Sequence, residues 1–139
     1  MKQIVLLFLV ATLGAADAQD KVPMSGISAA IKLEETVSGN LTELNGKFKL
    51  RATEVTFAPG ARLDAHHHAG PGLRKVLNGE LTFVQAGKTI VYKAGDYFFE
   101  SGNVVHTAQN RTKAPVRVVF FEVLPVSHTG PSVIPPKAY

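Results

Sequence analysis

The sequence predicts an all-β domain, and three observations predict it. From Phe48 onward, short segments rich in Val, Phe, Thr and Tyr alternate with turns built from Gly, Pro and Asn. After the first eighteen residues no helical period of apolar residues runs through the chain. A length of 139 residues suits one domain. Many short strands joined by frequent turns indicate a sandwich or a closed barrel.

Taken in order, residues 1–18 read as a signal peptide. Lys2 supplies a positive start, Ile4 to Leu13 form an apolar run interrupted only by Thr12, and Ala16-Asp17-Ala18 fits cleavage before Gln19. The run is shorter than the roughly 20 residues needed to span a bilayer. The expectation is therefore a secreted or periplasmic protein with no membrane attachment after cleavage, which N-terminal sequencing of the exported chain checks.

Residues 19–47 read as an N-terminal extension with peripheral strands. Val22 to Gly26 contains turn formers, and Ile31 to Glu35 fits either a short strand or a helical turn. The barrel itself is expected over residues 48–124. Phe48 to Phe57 reads as a strand, Ala58-Pro59-Gly60 as a turn, and Ala65 to His68 as a short strand. After the loop Ala69 to Gly72, Leu73 to Leu77 is a strand ended by the hairpin signal Asn78-Gly79. Glu80 to Gln85 and Lys88 to Tyr92 form a hairpin around Ala86-Gly87, and Tyr97 to Glu100, Val104 to Ala108 and Val116 to Leu124 complete the strands. The tail, residues 125–139, carries four prolines and reads as an extended cover for the barrel or for another subunit.

The chain has no Cys, which excludes thiolate chemistry and sulfur-rich metal sites and leaves the fold without disulfides. A formal charge of +4 comes from scattered Lys and Arg residues, so nucleic acid is not an expected partner. The chemistry lies instead in five histidines, three of which are consecutive: His66, His67 and His68. Side chains alternate faces along a strand, so His66 and His68 point one way and His67 the other. Two imidazoles spaced about 7 Å along one face can share one ion, if a neighbouring strand supplies a third. His106, at the start of a β segment just past a turn, is the best candidate, and His128 in the tail is a weaker one.

This arrangement resembles the two motifs of the cupin superfamily. The first motif is matched by Gly60, by His66 and His68 at the right offset, and by Gly79. The second is matched by Gly95, His106 and Asn110. The resemblance covers roughly residues 48–124 and implies a single cupin barrel, the double-stranded β-helix or jelly roll. It departs from the motifs at two places. The Glu that the family uses as a fourth ligand falls on Gly72, and the Pro and Gly of the second motif fall on Ser101 and Asn103, where Asn tolerates the left-handed conformation.

The resemblance implies a divalent transition metal held by His66, His68 and His106. Three imidazoles without a carboxylate suit Fe, Zn, Ni or Cu and leave a site of charge +2, more Lewis acidic than one with the Glu. Asp64 shares strand parity with His66 and His68 and is a candidate extra ligand or supporting group. Glu100 and Glu122 are weaker candidates for a substitute carboxylate, with a solvated or strand-end role as the favoured reading. Arg74, two residues after Gly72, faces into the barrel if the strand begins at Gly72; it reads either as an Arg that snorkels outward or is paired structurally, or as a clamp for an anionic ligand. Tyr97 and Phe99 are further candidates for substrate contact, with Tyr92 and Phe120 as wall residues. The family implies chemistry of dioxygenase, isomerase, decarboxylase or lyase type on a small oxygenated or anionic molecule. The alternative is a cupin that binds a metal, sugar or organic anion without turnover. A homodimer is expected.

Overall fold

The computed structural model describes residues 21–136. The signal peptide expected at residues 1–18 lies outside them. Among the described residues there is no helix; nine antiparallel strands form one curled sheet. They are β1 (Met24–Thr36), β2 (Phe48–His68), β3 (Gly72–Asn78), β4 (Glu80–Gln85), β5 (Lys88–Lys93), β6 (Tyr97–Glu100), β7 (His106–Gln109), β8 (Val116–Pro125) and β9 (Val133–Ile134). The main order is β5-β4-β7-β2-β8-β3-β6, with β1 and β9 both added to β2.

The central element is β2, which is one strand of 21 residues rather than two strands and a turn. Residues 48–57 pair with β8, and Arg62 to His66 pair with β7. Pro59 lacks an N–H to give a ladder, and the strand bends there instead of ending. The β1 register slips across the bend, from Ser25 opposite Arg62 to Ile27 opposite Phe57. Asn110, fully buried, fastens this corner. Its Nδ2 donates to the carbonyls of Phe57, Ala58 and Ala114, and its Oδ1 accepts from the Thr112 amide and hydroxyl. The ambiguous segment Ile31 to Glu35 belongs to β1, a long edge strand. Buried Lys49 and Arg51 reach from β2 to its Glu34, at 3.0 and 2.5 Å.

The core fills from alternate positions, as a pleated strand with one buried face requires. Val55 and Phe57 of β2, Val76 of β3, Leu81 and Phe83 of β4, and Val116, Val118 and Phe120 of β8 point inward and pack together. The same inward parity carries the buried polar residues His66, His68, Arg74, Glu100, His106 and Glu122 to one end of the barrel. The tail covers that end. Within it, β9 pairs with His67 and His68, and the Ala69 amide donates to the Ser132 carbonyl at 2.8 Å.

Candidate metal centre

His66 and His68 stand two residues apart on the inner face of β2, and His106 on β7 is the direct cross-strand partner of His66. All three rings are buried. The His66 and His106 ring centroids lie 4.2 Å apart, and each of the three offers a ring nitrogen within 4.8 Å of the others. Phe83 stacks on His106 at 4.5 Å and Phe120 meets His68 edge-on at 5.9 Å, so packing fixes the rings. His67 faces away, half-buried opposite Ile134. His128 stays in the tail, its Nε2 against the Pro131 carbonyl.

The tautomers follow from the partners. A carbonyl oxygen only accepts, so Nδ1–H of His66 donates to the Asp64 carbonyl at 2.6 Å and Nδ1–H of His106 to the Val104 carbonyl at 3.0 Å. Nδ1 of His68 lies 3.3 Å from Glu122 Oε1, likewise an acceptor. With its one hydrogen at Nδ1, a neutral ring of His66 or His106 presents a bare Nε2, whereas His68 has a carboxylate oxygen beside each ring nitrogen, Glu122 at Nδ1 and Glu100 at Nε2. Orienting a ring through its other nitrogen is the usual support of a metal-binding histidine. Burial, followed by the nearby His106 ring, pushes His66 down to about 3, so it stays neutral and able to ligate at pH 7.

Two buried carboxylates, taken in the sequence for solvated or strand-end groups, stand beside the rings. Glu100 Oε1 is 3.1 Å from Nε2 of His106, and its Oε2 is 3.2 Å from Nε2 of His68. Burial alone would raise the Glu100 pKa, but His106, Arg74 and His68 outweigh it and hold the group at about 2. Glu122 is also held below the ordinary carboxylate range, by His68, Arg74 and the Ser132 hydroxyl, against burial that opposes them. Their strand parity carried a signal. Glu122 shares the inward face of β8 with Val116, Val118, Phe120 and Leu124, and Glu100 shares that of β6 with Phe98.

Other sequence candidates are placed differently. The Asp64 carboxylate turns outward to pair with Arg62. A bulge between Leu63 and His66 shifts the parity on which its inward direction depended, and only its carbonyl serves the cluster. Arg74 does face inward, but it is engaged. Its Nη2 lies 2.6 Å from Glu100 Oε2 and 3.1 Å from Glu122 Oε1, with the guanidinium over the Phe120 ring. Tyr97 is exposed on the outer face under Lys75. Phe99 is exposed as well, at the rim of a cavity of about 200 Å³ that Glu100 and His106 line together with Gln85, Ser101 and Val104. Tyr92 and Phe120 pack with the interior aromatics. In the second motif Gly102, not Asn103, takes the left-handed backbone, with φ of 92°. A side chain there would strike the backbone of Gly70, and its carbonyl receives the His68 amide at 2.9 Å.

A family model described as "Cupin domain" matches residues 53–122, half of the chain. The chain belongs to the cupin domain family. No curated protein matches this cupin. Among solved structures it is similar to the polyketide cyclase RemF from Streptomyces resistomycificus, at 15% identity and a TM-score of 0.56, covering 78% of this chain and 77% of that one. It is also similar to the Cnp3 cupin domain of Schizosaccharomyces pombe, at 16% identity and a TM-score of 0.58, covering 74% and 69%. KdgF from Halomonas sp. aligns at 20% identity and a TM-score of 0.51, covering 72% and 84%. At these identities the likeness speaks to the fold alone.

The donors of this cupin fit a metal ion. Both nitrogens of His68 and Glu100 Oε2 are buried without an aligned hydrogen bond. Where a bare Nε2 faces a carboxylate oxygen at 3.1 to 3.2 Å, two acceptors confront each other. A positive charge between them, a metal ion or a ring proton, makes such a contact favourable.

Proposed function

We propose that this chain is an exported metal-dependent cupin that uses a divalent ion at His66, His68 and His106 to act on a small oxygenated or anionic molecule. The observation that carries the reading is the buried cluster of His66, His68 and His106, each offering a ring nitrogen within 4.8 Å of the others, with the Nδ1 of His66 and of His106 held by backbone carbonyls. Three imidazoles suit Fe, Zn, Ni or Cu. A bound ion would supply Lewis acidity toward an oxygen of the ligand. The chain's own residues shape the rest. Phe99 forms an apolar rim, while Gln85 and Ser101 offer hydrogen bonds at the opening. A volume of about 200 Å³ is below the range usual for drug-sized ligands, which supports a compact substrate of the kind isomerases, decarboxylases, lyases or dioxygenases accept.

A second reading, binding without turnover, is favoured by one observation. Arg74 Nη2 is engaged by both Glu100 and Glu122, so that nitrogen does not stand free to clamp a substrate anion. Metal content comes first. Untagged protein exported by its own leader should carry about one equivalent of a transition metal, and His106→Ala should remove it. Under half an equivalent, little changed by His106→Ala, would sink the metal reading. With metal present, oxygen uptake and product analysis on small diketones and hydroxy acids separate enzyme from binder.

A further inference from the structure

We propose that Glu100 is the fourth metal ligand, and that it reaches the ion from β6, the strand paired to β3 at the glycine of position 72. The inference rests on the three-histidine reading and extends it to a residue outside the motif positions. The β-ladders place it. Gly72 on β3 lies directly between Glu100 on β6 and Glu122 on β8, paired in register with both. All three positions therefore share one inward-facing row. A Cβ at Gly72 would run into Arg74 Nη1 and the Phe121 carbonyl oxygen. The space where a side chain of residue 72 would begin is already filled by the Arg74 guanidinium, which holds Glu100 Oε2 at 2.6 Å.

Of the two flanking carboxylates, geometry selects Glu100. Its oxygens face Nε2 of two of the three rings, His106 and His68, at 3.1 and 3.2 Å. Glu122 faces Nδ1 of His68 and accepts from Ser132 Oγ at 2.7 Å and Arg74 Nη2 at 3.1 Å, so its oxygen is spent on orienting side chains. Charge agrees. Two buried carboxyl groups stand against one buried guanidinium, an excess of acidic groups beside the rings. A divalent ion bound through Glu100 reverses that excess at the place where it is concentrated. The donor set becomes three nitrogens and one oxygen, with the cavity lined by Glu100 and His106 on its open side.

The test is metal binding, with no substrate involved. Apo wild type, Glu100→Gln, Glu100→Asp, Glu122→Gln and His106→Ala are titrated with Zn(II) against a chromophoric chelator and with Co(II) followed by visible absorption. Thermal melting of each apo protein establishes folding. Glu100→Gln should weaken Zn(II) binding by roughly tenfold or more and shift the Co(II) bands as an oxygen donor is lost. Glu100→Asp retains the charge beside Arg74 but withdraws the oxygens, so it should also bind more weakly while melting close to wild type. Glu122→Gln, which touches only the support of His68, should weaken Zn(II) binding less than Glu100→Gln and keep the Co(II) bands of a site that retains its oxygen donor. If His106→Ala abolishes binding while both Glu100 variants match wild type in affinity and spectrum, Glu100 is not a ligand and the three-histidine site stands alone. If Glu100→Gln does not fold, unchanged binding by Glu100→Asp overturns the proposal. If wild type takes up neither ion, both this inference and the three-histidine reading fall.

Discussion

Arg74 is wholly buried, with a carboxylate on either side of its guanidinium and an aromatic ring beneath it. A charge so placed contributes little net stability, but removing it leaves its partners buried and uncompensated, which costs about 3–5 kcal/mol. Arg74→Met should therefore destabilise the apo protein by about that amount in urea denaturation, with the transition still cooperative. Adding Glu122→Gln removes one of the two stranded charges and should recover more than about 1 kcal/mol, the coupling expected of residues in one network. A loss under about 1 kcal/mol for Arg74→Met alone would mean that water reaches the pair. The same residue marks what was legible at this scale. Strand parity placed His66 and His68 together and turned His67 away, while an inward Arg74 was one of the readings that its offset to Gly72 allowed. The partners of Arg74 did not follow. Which side chains flank residue 72 depends on the register of two strands distant in sequence, and register is a property of the folded sheet.

At the scale of elements, β2 carries most of the construction. It pairs with β1, β7, β8 and β9 and holds two of the three histidines. Its turn-forming residues Ala58-Pro59-Gly60 signalled a break, and the chain uses them for a bend within one strand. Local chemistry fixes where a strand deforms, while pairing partners decide whether it stops. The hairpin of β4 and β5 was readable because two residues join its strands. The tail was readable only as extended. In the fold it crosses Lys49 and Arg51, which donate to the carbonyls of His128 and Gly130, and then seats Ser132 on Glu122. Deleting residues 126–139 takes these acceptors from two buried cations and uncovers Glu122. Each buried group left unsatisfied costs about 1–3 kcal/mol. The truncated protein should stay folded on its core but melt lower, and the Ala69 amide, which donates to Ser132, should exchange faster in hydrogen-exchange mass spectrometry. Unchanged exchange in peptides spanning residues 66–70 would show that the tail does not protect the site.

At the scale of the whole molecule, the inner face of the sheet gathers the three histidines, and the outer face carries an exposed apolar row. Across β1, β2, β8, β3 and β6, the ladders set Leu33 opposite Ala52, Ala52 opposite Phe121, Phe121 opposite Leu73, and Leu73 opposite Phe99. Leu33, Phe121, Leu73 and Phe99 are each about half exposed or more, and Leu50 lies beside the row. A continuous apolar row across five strands, without a charged side chain, is the kind of surface a soluble protein covers. The described part of the tail runs to β2 at His67 and His68, so it does not cover this row. We propose that a second copy does. Phe121 stands at the middle of the row, and a twofold axis through it would lay Leu33 of one copy on Phe99 of the other, the isologous contact on which most closed dimers are built. Phe99 also rims the cavity beside Glu100 and His106, so pairing would place the partner at the mouth of the metal centre. The wild type should run as a dimer in light scattering at micromolar concentration. Leu73→Asp, on an exposed position in the row, should give a folded monomer with metal binding retained. A wild-type monomer, or a Leu73→Asp protein that still dimerises, would place the interface elsewhere and leave the row without an occupant of this kind.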